Sequence, residues 1–300
     1  MVPETTGTFK SKVHESNYME AYQKTLSLWK VKHESIYVET EYGLTHILVA
    51  GPHDGDSIIL LNGFGFSATM WYPNIEILAA TYRVYAVDVM GEFNRSIPKK
   101  HFLEKSDYAH WLTELMNQLG IERAHFIGHS NGGWHTLNFT MHAQHRVRSM
   151  VLLAPAASFV PFAKQFGIRL LAANLIRTRS VIINFCAKWF VSKQNMSKVS
   201  DYLFEQFYHG IMGFAWKYKI IIPTVFTDAE LQKVQVPALL MIGTKEVIYN
   251  HKRAIARAEK LIPHIQTRLI PGVGHGTNME DADFVNREII SFLQQGTLKI

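Results

Sequence analysis

Short apolar runs alternate with amphipathic segments along most of the chain. Six of these runs have the continuous apolar character of strands that are buried on both faces of a parallel sheet. Two earlier segments alternate apolar and polar residues, as the arms of a hairpin do, and they turn at Tyr42-Gly43. The eight predicted strands are Ser35–Thr40, Thr45–Ala50, Ser57–Leu61, Arg83–Asp88, Ala124–Gly128, Arg148–Leu153, Ala238–Gly243 and Gln266–Ile270. Strands that alternate with helices predict a mostly parallel eight-stranded sheet flanked by helices.

Amphipathic stretches between these runs predict the helices. The clearest is Tyr108–Leu119, whose apolar residues form one stripe at helical spacing. It is followed by Gly120, a residue type common just beyond helix ends. Further helices are predicted over Glu15–Trp29, Lys252–Leu261 and Asp283–Leu293.

One region interrupts the alternation. Between Ala154 and Pro237 no clean strand pattern occurs, and aromatic residues at helical spacing are frequent. We expect a helical cap inserted after the sixth predicted strand, because loops at the carboxyl ends of strands hold the sites of open sheets. Ordinary core helices remain the alternative. The predicted division is an N-terminal helical extension (1–33), an α/β core (34–155 and 224–300) and a cap (156–223).

Composition narrows the possible classes of protein. The chain has 300 residues, of which 47% are hydrophobic and 19% charged, as in a compact globular protein. The net charge of +6 is spread along the chain without a basic block, so a nucleic-acid partner is not expected. The one cysteine, Cys186, cannot form a disulfide within the chain. No apolar stretch is long enough to cross a membrane, and the first sixteen residues lack the apolar segment of a signal peptide. We therefore expect a soluble, cytoplasmic protein with no stable membrane insertion.

The segment Gly128-His129-Ser130-Asn131-Gly132 has the pattern G-x-S-x-G. It follows an apolar strand and begins a helix-compatible stretch, which is the strand–turn–helix arrangement of a nucleophile elbow. The glycines suit a turn that is too tight for side chains, and the serine hydroxyl would lie at a helix N-terminus. The pattern predicts Ser130 as a catalytic nucleophile. A glycine-containing turn without chemistry is the alternative.

A serine nucleophile needs a general base and an acid that orients it. His275 lies in a glycine-rich loop after the last predicted strand, and Glu246 follows the strand before that one. This is the chain order Ser, acid, His of the nucleophile-elbow enzymes. The other carboxylates considered are Asp228, which is expected to begin a short helix, and Glu280 and Asp281, which are too near His275 in sequence to come from another strand end.

Two backbone amides are expected to stabilise the oxyanion formed in acyl transfer. They belong to Asn131, directly after the nucleophile, and to Phe64, in the loop after the third strand. No metal or cofactor is expected, because His129 and His135 lack metal-ligand spacing and there is no phosphate loop. Asp88 is expected to be a structural turn residue, and Cys186 a small apolar residue rather than a nucleophile.

Taken together, these motifs resemble the α/β-hydrolase superfamily from about Glu34 to Leu293. The segments that carry the narrower resemblance are Leu26-Ser27-Leu28-Trp29, Met70-Trp71-Tyr72-Pro73-Asn74, Phe226-Thr227-Asp228 and Glu246-Val247-Ile248-Tyr249, and they are similar to the small Bacillus carboxylesterases of the naproxen-esterase type. The resemblance implies an α/β-hydrolase fold and carboxylic-ester hydrolysis through an acyl-enzyme, without a cofactor. Two residues depart from the common pattern of the superfamily: Asn62 stands in place of a histidine before the oxyanion glycine, and Glu246 in place of an aspartate.

The aromatic insertion and the absence of a charged recognition cluster favour a small-molecule substrate, a medium-sized hydrophobic acyl or aryl ester. Phe159, Phe162 and Trp216 are the candidate pocket residues. Other serine chemistries remain open, namely acyl transfer and thioester, amide, lactone or carbon–carbon hydrolysis, as does a membrane-surface lipase. A ligand-binding protein with little turnover is the alternative of another class. The oligomeric state is not predicted.

Overall fold

The computed structural model describes residues 8–297, apart from the side chains at positions 173–174, 185–188 and 296–297. It contains one nine-stranded sheet. The eight predicted strands all form, and each of their ends lies within two residues of its predicted position. The strands are β1 (His33–Thr40), β2 (Gly43–Ala50), β3 (Ser57–Leu61), β4 (Arg83–Val87), β5 (Ile97–Pro98), β6 (Ala124–His129), β7 (Val147–Leu153), β8 (Ala238–Gly243) and β9 (Ile265–Ile270).

The strand order is β1-β2-β4-β3-β6-β7-β8-β9, with β5 paired to β2. From β4 onward the neighbours in this order are parallel, while β2 is antiparallel to β1, β4 and β5. β5 was not predicted, because its two residues are too few to show a period. The parallel order brings the carboxyl ends of β3, β6, β8 and β9, and the loops that follow them, to one edge of the sheet.

Eleven α-helices lie in the described range. They are α1 (Lys12–Leu26), α2 (Ile75–Ala79), α3 (Lys105–Gln118), α4 (Asn131–Ala143), α5 (Lys164–Leu175), α6 (Arg179–Phe190), α7 (Asp201–Gly213), α8 (Asp228–Leu231), α9 (His251–Leu261), α10 (Thr277–Glu280) and α11 (Ala282–Thr297). α1 begins three residues before its predicted start, because the Ser11 side chain accepts a hydrogen bond from the His14 amide and caps the helix there. None of these helices is long and apolar enough to cross a membrane.

The core consists of two apolar layers, one on each face of the sheet. Successive side chains of a strand point to opposite faces, so Ile58 and Leu60 of β3 lie in one layer and Ile59 and Leu61 in the other. All four are fully buried. This two-sided burial explains why the parallel strands have apolar runs rather than alternating patterns.

Residues 156–223, between β7 and β8, contain α5, α6 and α7, and the described part of this helical insertion forms no named strand. α1 packs against α7. The Tyr18 hydroxyl on α1 accepts a hydrogen bond from the Gln206 side chain on α7 at 3.0 Å and donates one to the Phe93 carbonyl at 2.6 Å. The N-terminal helix therefore helps to hold the insertion over the sheet edge. The division of the chain into extension, core and cap stays a prediction, and residues 1–7 of the extension lie outside the described range.

Candidate active site

Ser130 is located at the sharp turn between β6 and α4. Its backbone has a φ of 52°, a left-handed conformation that is rare for a residue with a side chain. A Cβ atom on Gly128 would lie 2.2 Å from the Gly132 carbonyl oxygen, and one on Gly132 would lie 2.0 Å from the Leu61 carbonyl oxygen. Both contacts are impossibly close, so glycine is required at each position. The G-x-S-x-G segment thus forms the strained strand–turn–helix that the sequence predicted.

Three of the predicted site residues meet at the sheet edge. The Ser130 Oγ lies 2.8 Å from His275 Nε2, and His275 Nδ1 lies 2.6 Å from Glu246 Oε2. His275 is fully buried, while Ser130 and Glu246 are 9% and 7% exposed. The second oxygen of Glu246 accepts a hydrogen bond from the Ile248 amide at 2.8 Å, which fixes the oxygen that faces His275. The three side chains therefore have the hydrogen-bond geometry of nucleophile, base and orienting acid.

The Glu280 side chain holds the His275 loop in place. Glu280, which is fully buried, accepts hydrogen bonds from the amides of Gly274 at 2.9 Å and Gly276 at 3.2 Å, on either side of His275. The same carboxyl group accepts hydrogen bonds from the Ser192 hydroxyl at 2.6 Å and the Asn195 side chain at 3.1 Å, both in the helical insertion. Glu280 was considered only as a rival acid, and its contacts link the histidine loop to the insertion instead.

The other rival carboxylates lie away from the His275 ring. Asp228 forms an ion pair with Arg257 and is 61% exposed, and Asp281 accepts a hydrogen bond from the Phe284 amide at the start of α11. Asp88 is buried and accepts hydrogen bonds from the Ala68 and Arg95 amides and from His46, which fits the structural role expected of it.

The loop that carries Phe64 lies against the nucleophile. A Cβ atom on Gly63 would lie 3.4 Å from Ser130 Cβ and 2.8 Å from His129 Nδ1, so only glycine lets the loop approach so closely. Asn131 is the first residue of α4, where a backbone N–H has no acceptor one turn earlier in the helix. Both amides predicted for the oxyanion therefore lie at the edge of the site next to Ser130.

Asn62 organises this loop. Its side-chain nitrogen donates hydrogen bonds to the Gly63 and Phe66 carbonyls, and its oxygen accepts one from the Val89 amide. It also donates to Glu92, a buried carboxyl that the sequence interpretation missed. Glu92 directly follows the turn Asp88-Val89-Met90-Gly91 at the end of β4, and this position was the one signal that could have identified it.

An apolar cavity of about 880 Å³ opens onto Ser130 and His275, a volume typical of small-molecule sites. Phe162 and Trp216 line it, and Trp216 stacks on Phe64 with ring centroids 6.0 Å apart. Phe159, the third candidate pocket residue, is not among the residues that line this cavity. Phe159 is only 2% exposed and packs in the apolar layer on the α3 and α4 face.

Burial lowers the pKa values of His129 and His135 to about 3, which keeps both imidazoles neutral near pH 7. The His129 Nε2 lies 2.8 Å from the His275 carbonyl oxygen, where it supports the loop. Within residues 8–297, no cluster of three His, Cys, Asp or Glu side chains has the arrangement of a metal site. Cys186 belongs to α6, and its side chain lies outside the described residues.

Comparison with known proteins identifies the family of this chain. A family model described as the alpha/beta hydrolase fold matches residues 56–282. An uncharacterised carboxylesterase (nap) of Bacillus subtilis is 38% identical over 93% of both chains, and carboxylesterase YbfK of the same organism is 37% identical over 93% of this chain and 94% of its own. The crystal structure of naproxen esterase from Bacillus subtilis superposes with a TM-score of 0.87 at 36% identity, covering 95% of this chain and 99% of that one. The resemblance inferred from the motifs is confirmed, and the chain belongs to the α/β-hydrolase family.

Proposed function

We propose that this protein is a serine carboxylesterase that cleaves hydrophobic acyl or aryl esters through an acyl-enzyme on Ser130. The observation that carries the proposal is the continuous Ser130–His275–Glu246 chain, with distances of 2.8 Å and 2.6 Å, at one end of the apolar cavity. The names of the Bacillus carboxylesterases, which are similar over almost their whole length, support it.

In the first half of the reaction, Ser130 Oγ attacks the ester carbonyl carbon while His275 Nε2 takes the hydroxyl proton. The carbonyl oxygen becomes an oxyanion and accepts hydrogen bonds from the Phe64 and Asn131 amides. When the tetrahedral intermediate collapses, the C–O bond to the alcohol breaks and the alcohol takes the proton from His275. The acyl group stays on Ser130.

In the second half, water attacks the acyl carbon and gives its proton to His275, and Ser130 leaves with that proton. Glu246 keeps the proton of neutral His275 on Nδ1 and stabilises the imidazolium form. Release of the carboxylic acid restores the starting state.

The cavity wall indicates the substrate class. The described part of the wall is mostly aromatic and aliphatic, its charged side chains are Lys10, Lys164 and Arg177, and no Asp or Glu is among its described residues. The apolar part of this wall accommodates an apolar acyl or aryl group. The aromatic pair of Phe64 and Trp216 places such a surface directly beside the proposed oxyanion amide.

The test is a series of p-nitrophenyl esters from acetate to dodecanoate together with aryl-propionate esters, assayed with wild-type protein and with Ser130→Ala. We expect an initial burst of one equivalent of p-nitrophenol, turnover that favours medium acyl chains, and fluorophosphonate labelling at Ser130 only. A protein without burst, turnover or labelling would be a binding protein rather than an esterase.

A further inference from the structure

Glu92 occupies a buried position between the two segments that carry the oxyanion amides. It lies in the turn after β4 and is 1% exposed. Its Oε2 accepts hydrogen bonds from the Gly65 amide and the Asn62 side chain, both at 3.2 Å. Its Oε1 is in close contact with the Asn131 side-chain nitrogen. One carboxyl group thus contacts the residue after Phe64 and the side chain of Asn131 itself.

The sheet alone does not fix the separation of these two segments. The β3–β6 ladder ends at the pair Leu61 and Gly128, and each amide donor lies three residues beyond that pair. Oxyanion stabilisation requires both donors within hydrogen-bond distance of the same oxygen atom. A contact that joins the two segments beyond the last ladder pair, in addition to the close approach of Gly63 to Ser130, therefore helps to set the width of the site.

We propose that Glu92 is a positioning residue for ester cleavage. Its carboxyl group joins the Asn62–Gly65 loop to the nucleophile elbow, so that the Phe64 and Asn131 amides both donate hydrogen bonds to one oxyanion. The assignment rests on the proposed function. Glu92 lies behind the cavity wall, so it acts through these two segments rather than on the substrate.

The charge on Glu92 follows from its surroundings. Burial, opposed by hydrogen bonds from Asn131, Gly65 and Asn62, raises the pKa of Glu92 to about 8. The titratable groups that face it are Asp88 beyond β4, an anion that raises this pKa further, Tyr108 on α3, and His135, which adjoins Asn131 on α4.

None of these neighbours supplies a positive charge. His135 is neutral because burial lowers its pKa to about 3, and burial holds the pKa of Tyr108 well above 10. At pH 7 Glu92 is therefore mostly protonated, and it becomes an anion as the pH rises through about 8. A negative charge behind the two amides opposes the negative charge of the oxyanion, so activity should fall in that range.

The neutral form requires a different orientation of the Asn131 amide. The Asn131 Oδ1 is buried and has no hydrogen-bond partner in the described chain. A half-turn of the Asn131 amide presents this oxygen to the proton on Glu92 Oε1, while Oε2 still accepts from Gly65 and Asn62. Glutamine at position 92 reproduces this pattern, because its NH₂ replaces the O–H and its oxygen replaces Oε2.

The experiment measures kcat and KM for a p-nitrophenyl ester from pH 6 to 10 in wild type, Glu92→Gln, Glu92→Ala and Tyr108→Phe, with thermal unfolding of each. In wild type we expect kcat/KM to decline as the pH rises through about 8, by up to about tenfold for each pH unit. Glu92→Gln should stay within about threefold of wild type at pH 7 and lose this alkaline decline. Glu92→Ala should lose about 10- to 100-fold in kcat at nearly constant KM, less than the loss from removing an oxyanion donor outright. Tyr108→Phe should keep the decline.

Two outcomes would overturn the assignment: an alkaline decline in Glu92→Gln that matches wild type, or a kcat in folded Glu92→Ala that equals wild type. If Glu92→Ala does not fold, the pH profile of Glu92→Gln alone decides the question. An absence of ester turnover and of Ser130 labelling in wild type would instead refute the proposed function, so the two failures are distinguishable.

Discussion

Replacing Glu246 by glutamine tests the assignment of the orienting acid most directly. The side chain keeps its size, but one of its two acceptors becomes a donor. The oxygens have separate partners, His275 Nδ1 at 2.6 Å and the Ile248 amide at 2.8 Å, and both are N–H donors when His275 acts as a base. The new NH₂ must therefore face an N–H on one side or the other.

If the NH₂ faces His275, the imidazole must carry its proton on Nε2, where it can no longer accept the proton of Ser130. If the NH₂ faces Ile248, the buried Ile248 amide loses its acceptor. In either orientation, the His275 imidazolium loses the compensating negative charge of the carboxylate. We expect kcat to fall about 10³- to 10⁴-fold, which corresponds to about 4 to 5.5 kcal/mol of activation free energy. Because both groups are buried, high salt should not restore the activity.

The assay is steady-state hydrolysis of one p-nitrophenyl ester by Glu246→Gln, Glu246→Asp and Asp228→Asn, with unfolding curves to establish that each variant is folded. Glu246→Asp should keep part of the activity, since the carboxylate survives but is withdrawn by one methylene. Asp228→Asn should remain within about twofold of wild type, because it removes only an exposed ion pair with Arg257. An inactive Asp228→Asn beside a fully active Glu246→Gln would refute this reading of the site.

Ser130→Ala should lose at least about 10³-fold in turnover and all phosphonate labelling while its melting temperature stays near that of wild type, and labelling at another residue would contradict the mechanism. Phe162→Ala should change the ratio of kcat/KM between short and long acyl chains by about 10- to 200-fold. Phe159→Leu, in the core, should lower stability and change kcat/KM by the same factor for all esters. The same factor for all esters in both variants would mean that Phe162 is only structural. Glu230→Gln should lower the free energy of unfolding by about 1 to 2 kcal/mol at pH 7 in urea titrations, a figure reduced for partial exposure. Burial alone would raise the pKa of Glu230, but hydrogen bonds to Lys105 and to the helix cap lower this pKa to about 2. The stability that Glu230 contributes is therefore present above about pH 4.5 and should disappear as the pH falls toward 2. A stability difference between variant and wild type that is unchanged at pH 3 would contradict this expectation.

Much of the fold was predictable because its strands are buried on both faces. Runs such as Ser57–Leu61 have no polar interruption, and they end where the chain leaves the sheet, so pattern alone located them closely. The elbow was predictable for a steric reason, since the contacts of Gly128 and Gly132 exclude every larger residue. The meeting of His275 and Glu246 was predictable from the order of the strands, because the loops after parallel strands lie at one edge of the sheet.

The remaining features depend on contacts between segments that are distant in sequence. The aromatic character of Phe159 predicts burial, but not the apolar layer in which it packs. Glu92 acquires its surroundings from residues 62, 65 and 131, which meet only in the folded chain. A single carboxylate in a turn has no periodicity, so nothing in the pattern distinguished it from a solvated one.

Glu280 has a consequence for the way in which this enzyme could diversify. A common route to new specificity is to exchange the insertion and keep the catalytic core. In this protein such an exchange would remove Ser192 and Asn195. Glu280 would then lose two of the side-chain donors that hold it against the histidine loop. A transplanted insertion that binds its substrate well would still turn it over slowly unless it supplied equivalent donors. The insertion is therefore not a free module, and we expect successful chimeras to be those that restore a hydroxyl or amide at this junction.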